Sequence, residues 1–232
     1  MSSQRTIPGF VLVEGKNDKH VIQNLCRHHG LPIAVYEPDE GTKPRLATAE
    51  SEEPASGIIR LLFRVTARLK EPGVEPIGVV VDADLNLLSR WQQLRDRLLA
   101  NGYRDIPEHP ESAGWVSAEL NLRRIGVWLM PDNQRLGILE DFVASLISET
   151  DPLRSKAAAI LGEIEQEQIN RYPIEHKAKA FVHTWLAWQE IPGQPMGLAI
   201  TVRALRHDSP TALAFVAWLR RLFDPTSSAE VV

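Results

Sequence analysis

Cysteine is almost absent from this sequence, and two further absences narrow what the chain can be. Cys26 is the single cysteine among 232 residues, which excludes an internal disulfide and any cysteine-rich zinc site. No apolar run reaches the length of a membrane span, and Met1–Pro8 lacks the apolar core of a signal peptide. Together these absences predict a cytoplasmic protein that does not enter a membrane.

Net positive charge is missing as well. The chain has 26 lysines and arginines against 30 aspartates and glutamates, so its net charge is −4 and its pI is near 6.0. A protein with this balance has no overall attraction to DNA or RNA, and binding of nucleic acid requires a local basic patch. The 44% hydrophobic and 24% charged residues are otherwise typical of a globular protein.

The most informative stretch runs from Ile77 to Asp84. Its first five residues are apolar or small, which is typical of a strand buried on both faces, and the run ends in Asp82 and Asp84. Because residues i and i+2 of an extended chain point the same way, the two carboxylates can converge at the end of the strand. Ligands of parallel sheets bind beyond these strand ends, and Mg²⁺ prefers oxygen ligands. The stretch predicts a metal site, with a solvated acidic turn as the alternative.

Strand and helix signals alternate along the first two thirds of the chain, and helix signals alone follow. This order predicts an α/β fold with a mostly parallel central sheet flanked by helices. We expect an α/β domain over 9–150, a helical C-terminal extension packed on it over 151–223, and a flexible tail over 224–232. The residues from 37 to 57 are polar and predict a mobile loop. The predicted strands are 9–13, 31–36, 77–81, 115–120 and 125–130, and the predicted helices are 17–29, 58–70, 86–100, 136–147, 152–167, 175–190 and 210–222.

Carboxylates also follow two other predicted strands. Glu14 follows the first strand, and Asp132 follows the strand that ends at Met130. Glu140 and Asp141 lie on the next predicted helix. Because the carboxyl ends of parallel strands share one edge of a sheet, these side chains are candidates for one site. Such a site would hold one or two Mg²⁺ or Mn²⁺ ions, lower the pKa of a bound water and stabilise an attacked phosphate.

Two motifs resemble the Toprim domain. Leu12–Asp18 reads L-V-E-G-K-N-D, which is similar to the first Toprim motif, a glutamate in an E-G-x-x-D turn after a strand. Val79–Asp84 is similar to the D-x-D motif. Gly126–Asn133, followed by Leu139–Phe142, resembles a small stand-alone bacterial Toprim-like family of unassigned function. The resemblance covers about residues 9–200 and implies a relationship to the Toprim domains of OLD-family nucleases and of ribonucleases that mature ribosomal RNA.

The resemblance also implies roles for the acidic residues. Glu14 matches the family glutamate, which is a metal ligand in nucleases and a general acid or base in topoisomerases and primases. Asp82 and Asp84 match the metal-binding pair, and Asp18 matches a fourth acidic position. Glu140 and Asp141 look like the later acidic residues of the second metal site in OLD-type enzymes.

The chain also departs from the topoisomerase and primase pattern. Leu85 to Leu87 stand where topoisomerases and primases carry a glycine. Neither a topoisomerase tyrosine domain nor a primase zinc module is present, so we do not expect those two activities.

Basic residues can complete a phosphate site. A lysine near the metals stabilises the negative charge that develops in phosphoryl transfer. Lys177 is the catalytic candidate, with Lys16 and Lys179 as alternatives, and solvated helix lysines are the competing interpretation of all three. The histidines at positions 28 and 29 are best explained by the dipole at a helix C-terminus.

Three functions remain open at this point. The first is a metal-dependent nuclease that acts on DNA or RNA. The second is a non-catalytic Toprim module that binds a protein or nucleic acid. The third is a phosphatase of the haloacid-dehalogenase type, whose nucleophile would be Asp82. The resemblance to OLD-type proteins implies a partner ABC-type ATPase, because this chain lacks its own G-x-x-x-x-G-K-[ST] loop.

Overall fold

The computed structural model describes residues 9–38 and 57–224, and these form a five-stranded sheet covered by helices on both faces. The strands are β1 (Phe10–Leu12), β2 (Ala34–Tyr36), β3 (Ile77–Asp82), β4 (Trp115–Val116) and β5 (Ile125–Met130). The helices are α1 (Lys16–His28), α2 (Gly57–Lys70), α3 (Leu87–Ala100), α4 (Leu139–Ala144), α5 (Pro152–Gln166), α6 (Lys177–Ala187), α7 (Met196–Thr201) and α8 (Pro210–Phe223). A short 3-10 turn at Ile174–His176 precedes α6. Most of the predicted loop over 37–57 and almost all of the predicted tail lie outside the described residues.

The sheet is mostly parallel, as predicted. Its strand order is β2-β1-β3-β5-β4, and β4 is the one antiparallel strand among the described residues. β3 and β5 pair along their whole length, from Ile77 opposite Ile125 to Asp82 opposite Met130. The carboxyl ends of β1, β3 and β5 therefore lie at one edge of the sheet. This topology confirms the α/β fold class.

The central strands are buried on both faces, and the alternation of their side chains divides the core into two layers. Val79 and Val81 face α2 and α3. Val80 and Trp128 face the other layer, which contains α1 and the helices of the C-terminal region. The domain boundary near residue 150 remains a prediction, although buried residues on both sides of it share this second layer.

Two glycines let α8 lie close to the sheet. Gly78 and Gly126 are opposite each other on β3 and β5. A Cβ atom at Gly126 would stand 3.0 Å from a methyl carbon of Leu222 and 3.1 Å from the indole nitrogen of Trp218. That indole N–H donates a 3.1 Å hydrogen bond to the carbonyl of Trp115. A side chain at Gly126 would therefore displace the buried tryptophan from its partner.

We predict that Gly126→Ala lowers the free energy of unfolding by about 1–3 kcal/mol, the usual cost of overpacking a core. The matched control is Gly162→Ala on α5, where an added Cβ meets no atom within 4 Å. That change should raise stability by up to about 1 kcal/mol, because alanine is the better helix former. Urea unfolding of both variants tests the pair. Equal stability of the two variants would contradict the close approach of α8.

Several element boundaries differ from the prediction. The helix predicted over 136–147 spans only Leu139–Ala144. Its late start follows from Gly137, which has a φ of +142° and bonds to Asp84. The strand predicted over 115–120 ends at Val116, because the hydroxyl of Ser117 then accepts the N–H of Ile125. The strand predicted over 31–36 starts only at Ala34. The sequence reasoning missed α7, a six-residue helix that follows Pro195 directly.

Within the described part of the chain, no helix combines the length and the apolar character needed to cross a membrane.

Candidate functional site

The first part of the site follows β1. Glu14 comes two residues after the end of this strand, and the backbone then enters α1 with Gly15 as its N-cap residue. The Oε1 atom of Glu14 accepts a 3.0 Å hydrogen bond from the backbone N–H of Asp82. Asp18 lies in the first turn of α1 and is 8% exposed. The turn between β1 and α1 therefore brings two carboxylates to the end of β3.

The second part of the site is the end of β3 itself. Asp82 is the last residue of the strand, and Asp84 follows with a φ of +51°. The N–H of Asp84 donates to the carbonyl of Gly137 over 2.8 Å, and the N–H of Gly137 donates back over 3.0 Å. This two-bond bridge ties the segment after β3 to the segment that leads into α4. The ends of β3 and β5 are thus held as one unit.

Arg90 holds the acidic pair in place. It lies in the first turns of α3, and its Nε–H donates a 3.0 Å hydrogen bond to the carbonyl of Asp82. Its terminal Nη2 atom forms an ion pair with the carboxylate of Asp84. The arginine side chain is 11% exposed. Because a guanidinium is a fixed donor fork with a permanent charge, Arg90 both orients the turn and neutralises part of its charge.

The third part of the site is contributed by α4 and α6. Glu140, in the first turn of α4, is 4% exposed. Its Oε1 atom lies 3.8 Å from the Nζ atom of Lys179 on α6. The Glu140 charge also acts on Asp18 and Asp82. Glu140, which follows β5 on α4, is therefore a further carboxylate of the cluster.

Three carboxylates of the cluster have raised pKa values, because they are buried close to one another. Burial, together with the charges of Glu14 and Glu140, raises the pKa of Asp18 to about 7. Burial and the neighbouring charges of Asp18 and Glu14 raise the pKa of Asp82 well above its ordinary value. Burial also raises the pKa of Glu14, although the hydrogen bond from Asp82 opposes this. Removing water disfavours the charged form of a carboxylate, and nearby like charges add to the effect.

One oxygen of the cluster has no partner. The Oδ1 atom of Asp82 is buried and accepts no hydrogen bond, which is costly for a polar atom. Within residues 9–38 and 57–224, however, no three acidic, histidine or cysteine side chains already converge closely enough to hold a metal ion. The like charges repel one another, and two of the carboxylates are already engaged, Glu14 by a backbone N–H and Asp84 by Arg90.

The remaining predicted site residues have partners elsewhere. The Oδ1 atom of Asp132 accepts the N–H groups of Gln134 and Arg135 in its own turn. The Oδ2 atom of Asp141 accepts the N–H of Ile138 over 2.9 Å, which caps α4. Lys177 forms a 2.5 Å ion pair with Glu165 on α5. Asp132 thus stabilises its turn, whereas Asp141 and Lys177 also line the cavity described next.

A cavity of about 1250 Å³ opens beside the cluster. Asp82, Asp84 and Glu140 line one end of it, and Arg90 lines the adjoining wall. The opposite wall consists of α5 and of the start of α6, including Lys179. The cavity joins carboxylates, cations and apolar side chains within one space that is large enough for a ligand.

The sequence reasoning missed Arg90 and ranked Lys177 ahead of Lys179. Arg90 had a usable signal, because it lies in the first turns of a helix that starts at the end of an acidic strand. Such a position faces the strand end, where a long cationic side chain can reach the carboxylates. The position of Lys179 depends on how α6 packs against α4, and no local pattern predicts that contact.

Comparison with known proteins supplies a family but no activity. A family model described as protein of unknown function (DUF3226) matches residues 8–224. No curated protein and no solved structure gives a significant match. The functional interpretation therefore depends on the geometry of the acidic cluster and its cavity.

Proposed function

The chain belongs to the DUF3226 family of unknown function, and we propose that it is a metal-dependent enzyme that cleaves phosphodiester bonds in nucleic acid. The observation that carries the proposal is the buried Oδ1 atom of Asp82, which has no hydrogen-bond partner and lies among four other carboxylates at the end of a parallel strand. The resemblance of Leu12–Asp18 and Val79–Asp84 to the two Toprim motifs supports the same activity.

The donor set fits a hard divalent cation. All the candidate ligands are carboxylate oxygens, which Mg²⁺ and Mn²⁺ prefer. Glu14, Asp18, Asp82, Asp84 and Glu140 are the residues that would hold one or two such ions. Burial and the neighbouring carboxylates raise the pKa values of Asp18 and Asp82, and a bound cation would stabilise the ionised forms that these two effects disfavour. When bound, the cation supplies Lewis-acid polarisation of the phosphate and lowers the pKa of water beside it.

The protein's own residues position and neutralise the substrate. Arg90 fixes the Asp82–Asp84 turn from one wall of the cavity, and Lys179 lies beside Glu140 on the other. Both cations flank the acidic end, where they can stabilise the negative charge that builds up on a phosphoryl group. The cavity lining contains six carboxylates against four lysines and arginines, so we expect the bound cation to supply the positive charge that a nucleic acid requires there.

The direct test is cleavage by the purified protein with Mn²⁺, Mg²⁺ or a chelator. Substrates should include single- and double-stranded DNA and RNA, alone and with a partner ATPase of the ABC type. We expect cleavage that requires the metal. Metal binding without cleavage of any substrate would instead favour a non-catalytic binding module.

Glu14→Gln tests the role of charge at the first strand end. Glutamine keeps an oxygen that accepts the N–H of Asp82, so the turn should stay intact while one ligand charge is lost. We expect metal-dependent cleavage to fall by at least about 10- to 100-fold, because the loss of a residue that only supports a metal ligand already has an effect of that size. The matched control is Glu163→Gln at an exposed position of α5, which should cleave like the unaltered protein. Full activity of Glu14→Gln would remove Glu14 from the site.

We also propose a cytoplasmic location. A single buried cysteine, Cys26, is compatible with a reducing compartment. Burial raises the pKa of its thiol to about 12, which makes the side chain unreactive.

A further inference from the structure

The cavity extends well beyond the carboxylates. Its far wall is formed by α5 and α6, where Ala158, Leu161 and Phe181 line it. These side chains are apolar, and Phe181 is aromatic. An acidic, cation-flanked end would suffice for a metal and a phosphate, so the apolar wall requires a further explanation.

The mouth of the cavity carries three large apolar side chains that remain exposed. Leu85 is 70% exposed, Leu136 is 55% exposed and Ile174 is 74% exposed. They come from three separate segments: the turn after β3, the segment before α4, and the 3-10 turn before α6. A group of exposed apolar side chains around one opening indicates a binding surface. Aliphatic side chains of this kind insert between base steps when proteins unstack nucleic acid.

The acidic end of the cavity is recessed. Glu140 is 4% exposed, whereas Asp84 at the rim is 48% exposed, so a phosphate must enter the cavity to reach Glu140. The phosphates of an intact duplex lie on the outside of a wide, stiff cylinder. An unpaired strand can instead pass its backbone inward and rotate its bases out of the stack.

We propose that the cavity receives unpaired nucleotides, with a phosphate at the Asp82–Glu140 end and a base against the wall formed by Ala158, Leu161 and Phe181. The inference rests on the proposed function and names its substrate as a single-stranded segment or end. The volume of about 1250 Å³ slightly exceeds the range of about 300–1000 Å³ usual for small-molecule sites, which suits a few nucleotides and is too small to enclose a duplex. Arg90, Lys177 and Lys179 line the cavity, Lys177 within its ion pair to Glu165, and are cations that a phosphate backbone would contact there.

The test fills the cavity without touching the carboxylates. Ala158 and Ala159 are adjacent exposed residues of α5, and only Ala158 lines the cavity. Ala158→Trp therefore places an indole inside the cavity, whereas Ala159→Trp places one outside it. Binding is measured by fluorescence anisotropy with a labelled oligothymidylate, the matching oligouridylate and a labelled blunt-ended duplex without unpaired nucleotides, in the presence of Ca²⁺.

We expect the unaltered protein to bind the single strands at least about tenfold more tightly than the duplex, since one stacked base contributes about 1–3 kcal/mol. Ala158→Trp should lose about tenfold in single-strand affinity, and Ala159→Trp should lose none. Leu85→Ser, at the mouth, should also weaken single-strand binding. Equal binding of single strand and duplex, equal affinities of the two tryptophan variants, or no oligonucleotide binding at all would each overturn the inference.

A small substrate separates this inference from the proposed function. Bis(p-nitrophenyl) phosphate contains a phosphodiester but no base, so its hydrolysis by the unaltered protein with Mn²⁺ tests the chemistry alone. Hydrolysis without any preference for single strands would refute the nucleotide cavity and retain the enzyme. Selective binding of single strands without hydrolysis of any substrate would refute the enzyme and retain the cavity.

Discussion

Asp82→Asn is expected to reduce metal-dependent cleavage by more than about a hundredfold, since even a partner of a metal ligand contributes about 10- to 100-fold. Asp82 ends the central strand, and its buried Oδ1 atom has no hydrogen-bond partner. Asparagine has nearly the same shape but no charge. The loss should appear both as weaker Mn²⁺ binding in calorimetry and as slower cleavage.

The same variant should not be less stable than the unaltered protein. Burial and the charges of Asp18 and Glu14 raise the pKa of Asp82, which means that the ionised carboxylate opposes folding. Removing that charge should leave the free energy of unfolding unchanged or raise it, at pH 8 in the absence of metal. A loss of activity together with unchanged or higher stability separates a role in metal binding from misfolding. Asp96→Asn at an exposed position of α3 is the matched control and should change neither quantity.

Asp18→Asn is expected to have the largest effect on how stability depends on pH. In the folded protein the pKa of Asp18 is raised from 3.8 to about 7. The folded state therefore holds this proton more tightly than the unfolded chain does. Its contribution to stability is complete below about pH 4 and is lost as the pH rises through about 7. By linkage the loss is on the order of a few kcal/mol.

The measurement is urea unfolding of the metal-free protein between pH 5 and pH 8. The free energy of unfolding should fall with rising pH, and Asp18→Asn should flatten most of that fall. Some dependence should remain, because the pKa values of Glu14 and Asp82 are also raised. Mn²⁺ should restore stability at pH 8 in the unaltered protein by binding the ionised cluster. A profile that is already flat without metal would contradict the raised pKa of Asp18 in the folded protein.

Local patterns were sufficient for the central strands and for the acidic residues that follow them. Three consecutive valines followed by Asp82 and Asp84 specify a buried strand that ends in carboxylates. This holds because a strand buried on both faces must be apolar along its whole length. The same reasoning correctly identified β1 and β5 as strands of a mostly parallel sheet. Since the carboxyl ends of parallel strands share an edge, it also indicated that Glu14 lies beside Asp82, and a 3.0 Å hydrogen bond joins these two residues.

Local patterns could not rank the acidic residues by the direction in which they point. Asp132 and Asp141 each follow the same strand as Glu140, yet they bond to the N–H groups of their own turn and helix. Aspartate has a short side chain that readily accepts nearby backbone N–H groups. Whether it does so depends on local backbone geometry, such as the φ of +142° at Gly137, a conformation that favours glycine. The composition of the segment does not reveal that geometry.

The sequence by itself determined that this protein has a parallel α/β core with carboxylates at the end of β3, because hydrophobic periodicity and strand direction are local properties. Only the tertiary structure decided what surrounds Asp82 and Asp84. Glu140 acts on Asp82 through the packing of α4, and Lys179 on α6 contacts Glu140 in turn, so both depend on contacts between elements distant in sequence. The cavity exists for the same reason, since α5 and α6 form the wall opposite the strand ends. A carboxylate pair becomes a site for a particular ligand only when such non-local packing encloses it.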